Sequence, residues 1–223
     1  MKALAFSGGK DSMVCLHLLR GEFDCAIYVD TGFAYPETLA LVEYAAAMVP
    51  MHVVKSDRAA QNDRHGIPSD VVPVDWTTAG QDATCRKSCA VQSYLECCYQ
   101  NIARPLFMKA QALGVTELVY GQRNDEGHRG CAKDGDVVLG IVRRQPIEDW
   151  TEADVMAYLA SKMDVPEHYK IKHSSLDCYD CTAFRRDSAD RIAYTRAKHP
   201  VFYAQYAKRV ELLDTALSQA LCP

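Results

Sequence analysis

The chain has 223 residues, 48% hydrophobic and 24% charged, the make-up of a globular protein of one larger domain or a domain with a small appendage. A formal net charge of −4 argues against a general nucleic-acid binder, although local basic patches are compatible with it. No apolar run approaches a membrane span and the N-terminus enters a strand pattern rather than a signal peptide, so a cytoplasmic protein without membrane contact is expected. In a reducing compartment its ten cysteines are expected to be buried hydrophobes, metal ligands or reactive thiols rather than a disulfide framework.

An apolar run, Lys2 to Phe6, reads as a first strand and leads into Ser7-Gly8-Gly9-Lys10-Asp11-Ser12, followed by a helical pattern from Met13 to Arg20. A strand, a glycine turn and a helix N-terminus in that order make a phosphate cradle. Paired glycines let backbone N–H groups approach oxyanions, the helix dipole favours the charge, and Ser7, Lys10 and Ser12 add donors. The spacing is not that of a Walker loop, whose glycines stand further apart. Cys15 and Cys25 read as core. The second strand, Asp24 to Val29, is almost wholly apolar and empties into Asp30-Thr31-Gly32. An uninterrupted apolar strand after a helix implies a βαβ unit in a parallel sheet covered on both faces. Ligands of such sheets bind beyond the carboxyl ends of the strands, which places Asp30 and Thr31 beside the Ser7–Ser12 turn.

Pro36-Glu37 begins a helix that runs to about Val49, and Met51 to Val54 is a third strand. From Lys55 to about Ser88 the pattern turns polar, with Gly66, Pro68, Pro73 and Gly80, and reads as a long irregular segment. Trp76 there either stacks on a base or pins the segment to the core. A helical run from about Ala90 to Leu113, interrupted by Pro105, carries the adjacent pair Cys97-Cys98. Glu117 to Tyr120 is a strand opening onto Gly121-Gln122-Arg123, where Arg123 can reach a phosphate or sulfate, with Arg129, Arg143 and Arg144 as further cations. Val137 to Val142 reads as one strand. Thr151 and Asp154 form a near capping box ahead of a helix, Val165 to Ser175 reads as loop, and helices follow over Asp187 to Lys198 and Val201 to Leu221.

Cys178-Tyr179-Asp180-Cys181 together with a second cysteine pair has the ligand count of a Cys₄ site. On spacing alone a 4Fe–4S cluster, a structural zinc site and unmetallated thiols compete on level terms, and Cys85/Cys89 compete with Cys97/Cys98 for the second pair.

The string Ser7–Ser12 resembles the PP-loop of the N-type ATP pyrophosphatases and of the adenylyl-sulfate and phosphoadenylyl-sulfate (PAPS) reductases. The segment Tyr28 to Thr38, with its Asp30-Thr31-Gly32 turn and Pro36-Glu37-Thr38 helix start, is similar to the second signature of the PAPS reductase family. Gly121-Gln122-Arg123 and Pro146-Ile147-x-x-Trp150-Thr151 match two later motifs, and the resemblance extends from Ala3 to about Thr182. It implies an α/β fold of the adenine nucleotide α-hydrolase type, a parallel twisted sheet flanked by helices. The nucleotide-binding domain would cover residues 1–182 and a helical extension residues 183–223.

In adenylyl-sulfate reductases a vicinal cysteine pair seven residues before Pro-Leu, and a later C-x-x-C-Thr, hold a 4Fe–4S cluster. Here Cys98 stands at that interval before Pro105-Leu106, and Cys178-x-x-Cys181-Thr182 lies downstream. The resemblance therefore implies Cys97, Cys98, Cys178 and Cys181 as ligands, with Cys85 and Cys89 an alternative for one pair or a reactive couple.

Two departures bear on activity. The reductases end in Glu-Cys-Gly-Leu/Ile-His, whose cysteine attacks sulfur, whereas this chain ends Leu221-Cys222-Pro223. Reductases also usually alter the loop string, which is intact here. The leading expectation is an ATP-dependent adenylating enzyme. Pyrophosphate would rest on Ser7 to Ser12, adenosine near Phe6 and Asp30, with Asp11 a ligand of Mg²⁺. Lys10, Asp11 and Arg123 would be catalytic, and Ser7, Gly8, Gly9, Lys10, Asp11, Ser12, Asp30, Thr31, Gly32 and Arg123 would bind the nucleotide. Sulfur would then displace AMP. The resemblance admits a tRNA or DNA acceptor, held by Arg185, Arg186, Arg191, Arg196 and Lys198, a sulfur- or electron-donor protein, and a homo-oligomer. The alternatives are a sulfite-producing reductase of adenylyl sulfate or phosphoadenylyl sulfate, and a non-catalytic nucleotide-binding cluster subunit.

Overall fold

Apolar or half-apolar strands build the main sheet, and the computed structural model describes residues 1–85, 89–126, 131–171, 176, 178–185 and 188–221. In chain order β1 (Lys2–Ala5) leads to α1 (Lys10–Leu18), β2 (Cys25–Asp30), α2 (Pro36–Ala46) and β3 (Met51–Lys55). Next come α3 (Arg58–His65), β4 (Ile67–Ser69), a 3₁₀ turn at Val74–Trp76 and α4 (Thr78–Thr84). β5 (Val91–Ser93) and α5 (Tyr94–Cys98) continue through a π-helical turn, Tyr99–Ala103, into α6 (Arg104–Ala112). β6 (Glu117–Val119), β7 (Val137–Val138), β8 (Ile141–Arg144), α7 (Glu152–Ala160), a 3₁₀ turn at Glu167–Lys170, α8 (Ala189–Lys198) and α9 (Pro200–Leu221) complete the order.

The chain divides into two compact units that interleave in sequence. The first gathers Met1–Asp30, Pro36–Val54 and Pro105–Lys170; the second gathers Thr31–Tyr35, Lys55–Arg104 and Ile171 onward. Residues after 182 thus share a unit with Lys55–Arg104.

The first unit holds a six-stranded sheet in the order β3-β2-β1-β6-β8-β7. β1 pairs in parallel with β2 (Ala3 opposite Cys25) and with β6 (Leu4 opposite Val119), and β6 with β8. Alternation along the strands separates two apolar layers. Leu4, Ala26, Tyr28 and Val119 face one way, against residues of α1, α2 and α7. Ala3, Cys25, Ile27, Val29 and Leu118 face the other, against Leu106 and Ala110 of α6. This is the expected α/β architecture, a mostly parallel sheet flanked by helices, and Cys15 and Cys25 are core in it. The chain winds outward from β1 to β3 and returns on the other side of β1 at β6. The carboxyl ends of β1 and β6 therefore form a topological switch point.

Elsewhere the structure differs from expectation. The supposed strand Val137–Val142 is a hairpin, β7 antiparallel to β8, turning through Leu139 (φ 50) and Gly140 (φ 79). The supposedly irregular stretch after Lys55 contains α3, β4 and α4. α3 carries no large apolar residue, and the side chains it buries are Arg58, Gln61 and Asn62, so no hydrophobic period betrays it. Asp57 caps it, accepting from the Ala60 N–H at 3.0 Å. In the second unit β4 and β5 pair in parallel, and Trp76 packs with Val91, Leu213 and Ala216, which makes it a pin rather than an exposed stacking platform. Among the described residues, no helix is long and apolar enough to cross a membrane.

Candidate functional site

The turn between β1 and α1 is shaped by its own serines. Ser12, buried in the first turn of α1, accepts from the Ser7 N–H at 3.3 Å and donates to the Gly9 carbonyl at 2.9 Å. Ser7 Oγ lies 3.2 Å from Ser12 Oγ and accepts from the Gly9 N–H at 3.2 Å. Gly8 takes the left-handed conformation (φ 77), and a Cβ there would stand 2.9 Å from Thr38 Cγ2. Tyr169 donates to the Gly8 carbonyl at 2.8 Å, a residue that no spacing signal in its stretch marks out. With Gly9 as N-cap, the first N–H groups of α1 lack intrahelical partners and face the head of the helix, the arrangement that takes an oxyanion.

β6 delivers Gly121 and Arg123 to the same switch point. A Cβ on Gly121 would stand 2.5 Å from the Asp11 carbonyl carbon, so only glycine allows the β6 end to lie on the first turn of α1. Arg123, 4% exposed, donates from Nε to Asp11 Oδ1 at 2.6 Å and from Nη1 to Asp125, with Glu126 Oε1 at 4.0 Å. Lys10 Nζ is 3.4 Å from Glu152 Oε1. Lys10, Asp11 and Arg123, expected to act together, are thus brought together. One oxygen of Asp11, Oδ1, is engaged by Arg123. Burial raises the Asp11 pKa against the pull of Arg123 and Lys10. Burial, and then the Asp11 charge, push Glu126 up to about 7. A proton-holding carboxyl group therefore stands beside the arginine, which sequence reasoning did not identify.

Asp30 ends β2 in the same sheet. Thr31, buried in the second unit, has its Oγ1 3.3 Å from Cys178 Sγ, and Gly32 is exposed with φ 77. Arg143 stacks over Tyr120 (4.1 Å to the centroid) and donates to Gln122, while Arg144 pairs with Asp134 and Glu117; neither joins Arg123. Arg129 lies outside the described residues. Among the described residues of the basic run, Arg185, Arg191 and Arg196 are differently engaged. Arg191 is 3% exposed and donates to the Cys181 carbonyl, Arg185 is paired with Asp214 at 2.6 Å, and Arg196 lies over Tyr203. Arg186 and Cys222 lie outside the described residues.

The second unit also buries a cation against Asp180. Arg58, 2% exposed, donates from Nη1 to Asp180 Oδ1 at 2.6 Å and stacks over Phe33 at 4.4 Å. Burial disfavours its charge, yet Cys178, Asp180 and Cys97 face it closely enough to raise its pKa. Cys97 also sits in a cluster of buried amides, its Sγ 3.6 Å from Asn62 Oδ1 and 3.8 Å from Asn101 Nδ2. Cys98 is exposed, and Cys85, at the C-cap of α4, is exposed too, with Cys89 half-buried. Among the described residues no group of three or more His, Cys, Asp or Glu side chains is placed to hold a metal ion. Cys97, Cys98, Cys178 and Cys181, which the resemblance implies as cluster ligands, are therefore not gathered into one group.

An adenosine 5'-phosphosulfate reductase of Neisseria meningitidis serogroup B is 28% identical over 184 residues, 80% of this chain and 70% of that protein. A phosphoadenosine 5'-phosphosulfate reductase of Alkalilimnicola ehrlichii is 27% identical over 170 residues, 74% and 62% of the two chains. Among solved structures, phosphoadenylyl-sulfate reductase from Candida auris is similar with a TM-score of 0.54 at 19% identity, over 81% of this chain and 82% of that one. Candida glabrata FMN adenylyltransferase is similar with a TM-score of 0.50 at 16% identity, over 80% and 53%. At these identities the structural likeness is one of fold. The sequence model of the phosphoadenosine phosphosulfate reductase domain matches residues 2–184, which span every strand described here, and the chain accordingly belongs to that family.

Proposed function

We propose that this chain reduces the sulfate group of adenylyl sulfate or phosphoadenylyl sulfate to sulfite. The observation that carries the reading is the Ser7–Ser12 turn at the head of α1, with Arg123 delivered beside it from β6, in a chain matched by the reductase-domain model over residues 2–184. The N–H groups of the first α1 turn and Lys10 would hold the phosphosulfate, with Arg123 as a second cation once it exchanges a carboxylate partner for substrate. A cysteine thiolate would attack the sulfur, forming an S–S bond while the S–O bond to phosphate breaks and the adenine nucleotide leaves with the electron pair. A donor dithiol protein would then release sulfite and restore the thiol, itself becoming a disulfide. With Cys15 and Cys25 in the core, Cys85, Cys89, Cys131 and Cys222 are the thiols left for attack if the other two pairs bind metal.

A second reading, ATP-dependent adenylation, is favoured by one specific feature. The string Ser7-Gly8-Gly9-Lys10-Asp11-Ser12 is unaltered, and Asp11, Asp125 and Glu126 crowd Arg123, an acidic setting better suited to a polyphosphate that arrives with Mg²⁺. An acceptor oxygen, on tRNA or DNA, would attack the α-phosphorus, and pyrophosphate would leave. Sulfur would then displace AMP.

In either reading Cys97, Cys98, Cys178 and Cys181 are the residues that would hold a 4Fe–4S cluster. Such a group supplies an anionic, electron-accepting centre when bound. Iron and acid-labile sulfide in anaerobically purified protein support this assignment; zinc without sulfide overturns it.

Calorimetric titration with adenylyl sulfate, phosphoadenylyl sulfate and Mg-ATP in parallel, followed by assays for sulfite and pyrophosphate, tests the reading. Tighter binding of a sulfated nucleotide with sulfite release supports the reductase. Tighter Mg-ATP binding, weakened by Lys10→Ala and accompanied by pyrophosphate release, overturns it in favour of adenylation. Binding with neither product leaves a non-catalytic nucleotide-binding subunit and overturns both.

A further inference from the structure

We propose that Tyr169 is a positioning residue for the anion cradle: its buried hydroxyl locks the Gly8–Gly9 peptide plane, with the carbonyl on the core side of the turn and the N–H on the other. The consequence for binding rests on the nucleotide reading above; the lock stands on the geometry alone. Tyr169 lies in the 3₁₀ turn Glu167–Lys170, its own N–H donating to the Pro166 carbonyl at 3.0 Å. It is 5% exposed, and its ring belongs to the apolar layer of Leu4, Phe6, Met13 and Val14, edge-on to His168 at 4.7 Å between centroids. From that fixed position the hydroxyl donates to the Gly8 carbonyl at 2.8 Å. Burial, and then the Asp11 charge, hold the phenol in its protonated form, so the hydroxyl stays a donor.

A plane between two glycines has no Cβ on either side to resist its rotation, so something else must hold it. A trans peptide directs its C=O and N–H to opposite sides, and a clamp on one end therefore sets both. The N–H end, on Gly9, donates to Ser7 Oγ at 3.2 Å, and Ser7 Oγ in turn lies 3.2 Å from Ser12 Oγ. These ties are internal to the turn. Tyr169 is the tie from the carbonyl end to the apolar layer, and all these residues lie in one compact unit. Without the hydroxyl the Gly8 carbonyl loses a buried partner, a cost that turning the plane relieves. The turned plane puts an oxygen where the Gly9 N–H stands, a negative dipole beside a helix start that otherwise favours an anion. A hydroxyl that touches no ligand thus acts on anion affinity through the peptide it holds.

The test compares wild-type protein with Tyr169→Phe, which keeps the ring in its apolar layer and removes the hydroxyl alone. With the glycine nitrogens isotopically labelled, relaxation dispersion and the Gly8 Hα to Gly9 N–H Overhauser contact report the peptide plane with no ligand present. Wild type is expected to give one unbroadened Gly9 resonance. Tyr169→Phe is expected to show exchange broadening or a changed Overhauser contact at Gly9, with Gly121, on the other side of the first α1 turn, unbroadened. Adenylyl sulfate and Mg-ATP are then titrated calorimetrically. Tyr169→Phe is expected to weaken whichever of the two wild type binds more tightly by about 3- to 10-fold. An unaltered Gly9 signal or wild-type affinity in Tyr169→Phe overturns the proposal. So does broadening of Gly121 equal to that of Gly9, the mark of a general loosening rather than a turned plane. Exchange broadening of Gly9 in wild type overturns it as well, and that measurement needs no variant. Wild-type protein that binds neither adenylyl sulfate nor Mg-ATP overturns the nucleotide reading itself, while the Gly9 signal still decides the lock.

Discussion

Gly121→Ala puts one methyl group between the end of β6 and the first turn of α1. The new Cβ would stand 2.5 Å from the Asp11 carbonyl carbon, 2.6 Å from its oxygen and 2.7 Å from the Ser12 nitrogen. Ordinary contacts begin near 3.4 Å, so almost 1 Å of separation has to open, roughly the difference between contact and clash. All three atoms belong to backbone, and no side-chain rotation relieves the overlap. Overpacking of this kind costs about 1–3 kcal/mol, and the rigidity of a helix start places Gly121→Ala at the upper end. For a chain of this size that is a fall of roughly 6–12 °C in melting temperature. The displacement also pulls Arg123 from its 2.6 Å contact with Asp11. Arg123 moved away from the cradle would no longer reach the phosphate, and loss of that charge-assisted contact corresponds to about 10- to 100-fold in nucleotide affinity. Gly114→Ala is the control. Its φ of +70 makes alanine strained, but nothing lies within 4 Å of the added Cβ, so stability falls by about 1–2 kcal/mol with affinity unchanged. Thermal unfolding with calorimetric titration reads both quantities. Gly121→Ala with wild-type melting temperature and affinity would refute the close approach of β6 to the loop.

Ser12→Ala removes a hydroxyl that accepts from Ser7 and donates to Gly9. It is expected to cost about 0.5–1.5 kcal/mol in urea unfolding, because two part-buried hydrogen bonds are lost; an unshifted midpoint would contradict this role. Glu126 supplies a pH signature. Its folded pKa is raised from 4.5 to about 7, so between those values the folded state holds more protons than the unfolded one and stability declines as pH rises. Glu126→Gln should flatten that decline between pH 4.5 and 7, measured by melting temperature. A slope identical to wild type would mean that the carboxyl group is solvated.

The strands and the Ser7–Ser12 turn are legible because their signals are local. β1 and β2 read as strands from apolar runs, the Ser7–Ser12 turn reads from six adjacent residues, and the Thr151/Asp154 capping box forms as its spacing implies. α3 is illegible for the opposite reason. Its buried side chains are polar and are satisfied by partners distant in sequence, Arg58 by Asp180 and Gln61 by Gln92. Hydrophobic periodicity measures burial of apolar residues only, so a helix that buries amides and a guanidinium leaves no trace. The hairpin at Leu139-Gly140 is hidden likewise, since five of the six residues from Val137 to Val142 continue an apolar strand pattern.

Sequence alone determined the α/β class, the Ser7–Ser12 turn after β1, Arg123 as its partner and the cysteine spacing, all of which depend on residue type and short-range order. Only the tertiary structure decided that Asp11 is held by Arg123, that Gly121 is needed for backbone to meet backbone, that Arg191 is buried rather than on a cationic face, and that Arg58 is buried against Asp180 and Phe33. Each of these depends on the distance between groups far apart in the chain. Parallel pairing and strand order set that distance, and no local pattern encodes it.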